Sequence, residues 1–163
     1  MEQKELVVLI GPPGSGKSTY CKTHLPNHSR INQDEQGKSG HHKVFEKALR
    51  QQKLIVVDRI NHIYNQRRDY VSQARLNGFK IRYVVFKFSF SECLTRISGR
   101  KEHPTLNSRN LDEAVAAISM FFSFYQPPSF QEYDEIDYVG NHDRYLLDLI
   151  EVCKDKRLSL IHI

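Results

Sequence analysis

Residues 11–18 read Gly-Pro-Pro-Gly-Ser-Gly-Lys-Ser and follow directly on the apolar run Leu6-Val7-Val8-Leu9-Ile10. This junction limits the fold more than any other stretch of the chain. An apolar run without polar alternation predicts a strand covered on both faces, as in a parallel sheet flanked by helices. Glycines at 11, 14 and 16 let the backbone turn sharply and bring its amides together. A helix is expected from about Lys17 until Pro26 stops it. Strand, glycine-rich turn and helix in this order create a concave row of N–H groups at a helix N-terminus, a setting that favours an anion.

The rest of the chain repeats the alternation. Strands are predicted at 30–34, 54–58, 81–88 and 135–139. Helices are predicted at 44–51, 65–76, from a Ser91 cap through Leu94 and Ile97, at 111–125 and at 145–152. Tyr70, Val71, Ala74 and Leu76 should form the inner side of the second of these, closed by Asn77-Gly78. His41-His42 and the stretch 99–110 with His103-Pro104 read as loops, and Phe121, Phe122, Phe124 and Tyr125 as core. The pattern predicts one α/β domain over 1–163, a mostly parallel sheet with helices on both faces. Ligands of such sheets sit beyond the carboxyl ends of the strands, which gathers Gly11, Asp34, Asp58 and 89–91 at one edge.

Composition narrows the class. Hydrophobic residues make up 39% and charged residues 26%, as in ordinary globular chains. No apolar run approaches the ~20 residues that span a bilayer, so no membrane partner is expected. The polar opening, residues 1–5, lacks signal-peptide character. Cys21, Cys93 and Cys153 are odd in number and have no metal-ligand spacing. They read as reduced thiols of a cytoplasmic protein. A formal charge of +5 suits a phosphate-bearing partner without demanding one.

Gly11, Gly16, Lys17 and Ser18 match G-x-x-x-x-G-K-[ST] in full, between a strand and a helix. Gly14, Ser15, Gly16, Lys17, Ser18 and Thr19 are therefore the candidate nucleotide-binding residues. Lys17 brings an ammonium to the β- and γ-phosphates, and Ser18 can ligate Mg²⁺ through its hydroxyl. Pro12 and Pro13 have no N–H and stiffen the entry. The chemistry expected of this loop is that of a P-loop kinase fold using ATP and Mg²⁺. Phosphoryl transfer also needs a carboxylate near the acceptor hydroxyl, and Asp34 and Asp58 are the two strand-end acids available. Spacing alone does not divide their roles.

The stretches Val8–Thr19, Ile31-Asn32-Gln33-Asp34-Glu35, Val56-Val57-Asp58-Arg59-Ile60-Asn61 and Pro127–Ile136 resemble the kinase module of the polynucleotide 5′-hydroxyl kinases. The resemblance covers most of residues 5–140. Its phosphate loop is widely shared, while the ordered Asn-x-Asp and Asp-x-x-Asn pieces are more specific. The resemblance implies Asp34 as general base on a 5′-hydroxyl of RNA or DNA. It also implies a lid around 96–110 whose Arg96 and Arg100 hold the donor phosphates. Arg96 and Arg100 are four apart, on a helix face away from Leu94 and Ile97. The chain departs from the family where an acceptor-binding arginine is expected three residues after the base, since Gly37 stands there. Arg59 and Ile60 replace the first asparagine and the threonine of Asp-Asn-Thr-Asn. Arg59 then reads either as a contact for an acceptor phosphate or as an exposed strand-end residue.

Two other functions fit the same donor loop: a kinase for a small-molecule hydroxyl (sugar, nucleoside or antibiotic) and a non-catalytic nucleotide-binding module. Arg67-Arg68 reads as a solvated helix face or a nucleic-acid contact, and 141–144 as an adenine cradle by analogy.

Overall fold

The apolar run becomes β1 (Glu5–Ile10), the central strand of a five-stranded sheet, with Leu6 to Ile10 fully buried. Each such side chain removed from water stabilises the fold by about 1.5–3 kcal/mol. The structure, a computed structural model, describes residues 3–99 and 108–140, without the side chains of 34, 35 and 108–110. Arg100, His103-Pro104, the 141–144 stretch, Cys153 and the expected helix at 145–152 lie outside the described residues.

The other strands are β2 (Ser29–Ile31), β3 (Leu54–Val57), β4 (Lys80–Phe86) and β5 (Glu135–Val139), in the order β2-β3-β1-β4-β5. Every neighbouring pair is parallel. β1 pairs with β3 from Glu5↔Leu54 to Val8↔Val57, and with β4 from Glu5↔Lys80 to Ile10↔Val85. The chain fills one side of β1 and then crosses to the other. That switch leaves a crevice beyond the carboxyl end of β1.

Six helices are described: α1 (Lys17–His24), α2 (Gln33–Gln36), α3 (Gly40–Gln51), α4 (Tyr64–Leu76), α5 (Phe90–Ser98) and α6 (Ser108–Phe124). On one sheet face, Leu6, Val8 and Ile10 meet Phe45, Ala48 and Leu49 of α3 and Tyr70, Val71 and Ala74 of α4. On the other, Val7 and Leu9 meet Cys21 and Leu25 at α1. Helices therefore cover both faces, as the alternation predicted. No helix among the described residues is long and apolar enough to cross a membrane.

Several local expectations are corrected. β2 stops at Ile31, because the Asn32 N–H donates to Gln36 Oε1 and Gln36 Nε2 donates to the Arg30 carbonyl, turning the chain into α2. Asp34 thus sits in a helical turn rather than in the strand. His41 and His42 lie in α3, and His41 is buried. Leu76 is 88% exposed, since the α4 stripe ends at Ala74 before the Gly78 turn at φ 81°. Ser89, not Ser91, caps α5: its Oγ accepts from Glu92 N–H, and the Glu92 carboxylate accepts from Ser89 N–H. Phe121 and Phe122 are core, but Phe124 is 61% exposed.

Candidate active site

The phosphate loop is held open by its own side chains. Ser15 Oγ donates to the Pro12 carbonyl at 2.7 Å, and Lys17 Nζ donates to the Gly11 and Pro12 carbonyls at 2.9 and 2.8 Å. Pro12 therefore contributes an acceptor that orients the lysine, beyond stiffening the entry. Gly14 and Gly16 have φ of 80° and 88°, where a side chain is strained. A Cβ at Gly14 would also lie 2.7 Å from the Cys93 carbonyl and 2.8 Å from Ile97 Cγ1 of α5. The loop and α5 are therefore in direct contact.

That contact delivers Arg96. Its Nη1 donates to the Ser15 carbonyl at 3.0 Å, and its guanidinium lies 4.0 Å from the Phe88 ring centroid. The Ser89 capping box fixes the start of the helix that carries it. A cavity of about 670 Å³ opens here, lined among others by Gly14, Gly16, Thr19, Tyr20, Phe88 and Arg96. It is large enough for a nucleoside beside the loop.

A second cavity of about 480 Å³ adjoins the first at Gly14, Gly16 and Thr19; Lys17 and Ser18 line it too, with Asn32, Asp58, Arg59 and Ile60 in its wall. Asp58 follows β3 and is 4% exposed. Its Oδ2 accepts from Ser18 Oγ at 3.0 Å, Arg30 Nε at 2.8 Å and Asn32 Nδ2 at 3.3 Å. Arg30 Nη2 also donates to Ser18 Oγ at 2.9 Å. The β3 exit is tied to the β1 exit by Asn61, which adopts φ 48° and donates to the Leu9 carbonyl at 2.8 Å. The Gly11 N–H donates to the Ile60 carbonyl at 3.1 Å in the same place. The Asp-x-x-Asn spacing thus has a structural meaning: its asparagine holds its aspartate beside the phosphate loop.

Arg59 is not a loose strand-end residue. Its Nη1 donates to Tyr70 OH at 2.6 Å and its Nη2 to Gln33 Oε1 at 2.7 Å, and Nη1 lies 3.4 Å from His41 Nε2. His41 Nδ1 is 2.9 Å from the Gly37 carbonyl, so Nδ1 carries the proton and Nε2 faces the guanidinium as an acceptor. Burial first, then His42 and Arg59, hold His41 below the usual imidazole range. One turn below Ser18, burial pushes the Cys21 thiol up to about 12, leaving it an inert neighbour.

A metal would have to fit this oxygen-rich corner. Among the described residues no group of three or more His, Cys, Asp or Glu side chains is placed to hold one. Ser18 Oγ beside Asp58 Oδ2 offers hard oxygen donors, the partial shell that suits Mg²⁺ when phosphates complete it. The residues present fit that ion: Ser18 would ligate it and Asp58 would stand in the outer shell.

The structure therefore brings together Gly14, Ser15, Gly16, Lys17, Ser18, Thr19, Asp58, Arg59 and Arg96 around two adjoining cavities. It places the Asp34 backbone in α2, beyond the carboxyl end of β2. Arg30 and Asn32 were missed by sequence reading. Asn32 was visible as the first residue of Asn-x-Asp, but nothing local marks Arg30, whose partners are 12 and 28 residues away. Arg67, expected at the surface, is fully buried, donating to Glu132 at 2.8 Å and to the Asn61 carbonyl at 3.0 Å.

The sequence matches the family described as AAA domain over residues 32–124, more than half of the chain and downstream of the phosphate loop. The Bifunctional polynucleotide phosphatase/kinase of Schizosaccharomyces pombe is 31% identical over 134 residues, covering 80% of this chain and 32% of that protein. A protein of Arabidopsis thaliana named Transcription factor bHLH140 is 36% identical over 110 residues, covering 60% of this chain and 12% of that protein. This chain thus spans between about an eighth and a third of these relatives' lengths. Among solved structures, a gluconokinase from Sinorhizobium meliloti 1021 is similar in fold, with a TM-score of 0.57 at 12% identity, covering 98% of this chain and 99% of that one.

Proposed function

We propose that this chain, which belongs to the AAA domain family and has the fold of the P-loop kinases, transfers the γ-phosphoryl group of ATP to the 5′-hydroxyl end of a polynucleotide. The observation that carries the reading is the second cavity. It runs over the phosphate loop at Lys17 and Ser18 and is walled by Asp58 and an anchored arginine, Arg59. A nucleotide-binding module needs the phosphate-loop part of that cavity, but it has no need of an arginine anchored in the wall beside it. A polynucleotide acceptor suits it, because its terminal nucleotide presents a hydroxyl beside a phosphate. Similarity to a protein named polynucleotide phosphatase/kinase along 80% of the chain points the same way.

In this reading the nucleoside of ATP lies against Thr19, Tyr20 and Phe88, and its phosphates lie on the amides of residues 14–18. Lys17, Arg96 and Arg100 neutralise the β- and γ-oxygens as charge moves toward the leaving ADP. Mg²⁺, held by Ser18, supplies further charge neutralisation when bound. Asp34 takes the proton of the acceptor hydroxyl while that oxygen forms its bond to the γ-phosphorus, and the bond to the β–γ bridging oxygen breaks. Asp58 orients Ser18, and Arg59 receives the acceptor's own phosphate, the task left open by glycine at position 37. Arg-phosphate pairing of this kind is geometrically selective.

The test is incubation with γ-labelled ATP and 5′-hydroxyl oligonucleotides of RNA and of DNA, beside a panel of sugars and nucleosides. Labelled oligonucleotide is the expected product. Label on a small molecule alone would replace the acceptor assignment, and ATP binding without transfer to anything would leave a binding module.

A further inference from the structure

Arg30 makes a contact that the transfer chemistry does not call for. It stands on the edge strand β2, paired in register with Val56, with its side chain 24% exposed. Its Nη2 lies 2.6 Å from Asp58 Oδ2 and 2.9 Å from Ser18 Oγ, and its Nε donates to the same Oδ2 at 2.8 Å. One guanidinium thus bridges the two oxygens that form the metal-binding corner. Ser18 Oγ and Asp58 Oδ2 are only 3.0 Å apart, so the bridging nitrogen lies against the pair. A Mg²⁺ ion ligated by Ser18 needs oxygens at about 2.0–2.1 Å and keeps several waters. A cation of that size with its waters and a guanidinium cannot share the corner, and their charges repel at contact distance.

We propose that Arg30 is a tethered counter-cation of this site: it holds Ser18 and Asp58 together before the nucleotide arrives and swings out when a divalent cation enters. The inference rests on the reading of residues 11–18 as an ATP·Mg²⁺ site. Three features support the motion. Arg30 sits on the outermost strand with a partly exposed side chain, so an outward rotamer needs no repacking of the core. Asp58 keeps Ser18 and Asn32 as donors after the arginine leaves, so it is not stranded. Without either cation, a buried carboxylate would face incoming phosphates, which is costly. Arg30 removes that cost in the metal-free state. It also raises the metal concentration that the site needs.

The two consequences have opposite signs, which separates the idea from simple structural damage. The full chain would be compared with R30M, and with R30K, whose ammonium keeps the charge but lacks the second nitrogen with which Arg30 grips Asp58. Mn²⁺ binding without nucleotide would be followed by electron paramagnetic resonance, and ADP binding in EDTA by calorimetry. R30M should bind Mn²⁺ about tenfold more tightly than the natural chain, once a contact cation is removed. It should bind metal-free ADP several-fold more weakly, with R30K intermediate in both measurements. Equal or weaker Mn²⁺ binding by R30M in a protein that melts cooperatively would overturn the proposal. If R30M fails to fold, R30K decides alone: tighter Mn²⁺ binding than the natural chain supports the proposal, and unchanged binding overturns it. Failure of the natural chain to bind ATP with Mg²⁺ removes the underlying function as well. Intact ATP binding with an unresponsive Mn²⁺ affinity removes only the role of Arg30.

Discussion

The two halves of the site are built in contrasting ways. The phosphate loop is one contiguous segment, in which Pro12, Ser15 and Lys17 bond to each other within six residues. The wall beside it is assembled from distant pieces: Arg30 and Asn32 near β2, Gln33 in α2, His41 in α3, Asp58 and Arg59 after β3, and Tyr70 in α4. A contiguous loop gets its geometry from local backbone rules and so carries the same chemistry in many proteins. A composite wall depends on packing, and each piece can be replaced with compensation elsewhere.

This contrast can be broken at either end. The largest effect is expected in the phosphate loop: Lys17→Ala should lower phosphoryl transfer by about 10³-fold or more, as loss of a preorganised transition-state charge does. Labelled-phosphate assays at saturating acceptor would measure it, and a rate within tenfold of the natural chain would mean the loop is not the catalytic cradle. Next comes Asp34→Asn, with a loss of about 10²-fold or more in transfer rate. Calorimetric ATP affinity should be unchanged, since the proposed mechanism has Asp34 act on the acceptor alone. A parallel loss of ATP affinity would instead move Asp34 to the donor side. Arg59→Gln should act more gently, raising the acceptor KM about tenfold with little change in the KM for ATP. An effect confined to the ATP KM would show that the halves are not separate.

The smallest effect concerns pH. Burial holds both His41 and His62 below the ordinary imidazole value, with nearby arginines acting in the same direction. The folded chain therefore favours their neutral form. Their contribution to stability is present above the unfolded value of about 6.5 and is lost as pH falls from there through the folded values. Urea unfolding should show lower stability at pH 5.5 than at pH 7.5. The H41Q/H62Q double variant should lose part of that difference. An unaltered pH dependence would mean that the two rings titrate alike in both states.

The same division explains what was legible in the sequence. Leu6–Ile10 announced a two-sided strand because every position is apolar, and residues 11–18 announced their turn by glycine spacing. Asp58 was legible as an acid at a strand end. Its partner Arg30 was not, because only the packing of β2 beside β3 brings them together. Arg67 misled for a related reason: next to Arg68 it looks solvated, and the partner that makes its burial tolerable lies 65 residues on. His41 looked like loop because Gly37 to Gly40 is polar, yet Gly37 ends one helix and Gly40 begins the next.

The buried ion pair between Arg67 and Glu132 has a practical corollary for anyone who trims or grafts this domain. Glu132 accepts from Arg67 and from Tyr83 OH, so one carboxylate rivets α4, β4 and the segment leading into β5. Leaving a buried charge of this kind without its mate typically costs about 3–5 kcal/mol. That is a large share of the roughly 5–15 kcal/mol by which whole domains are stable. A shortened version ending before residue 132 would retain every catalytic candidate named above and still strand a guanidinium in a dry interior. Fragment boundaries should therefore be drawn by where the charges balance, downstream of the last residue the chemistry requires.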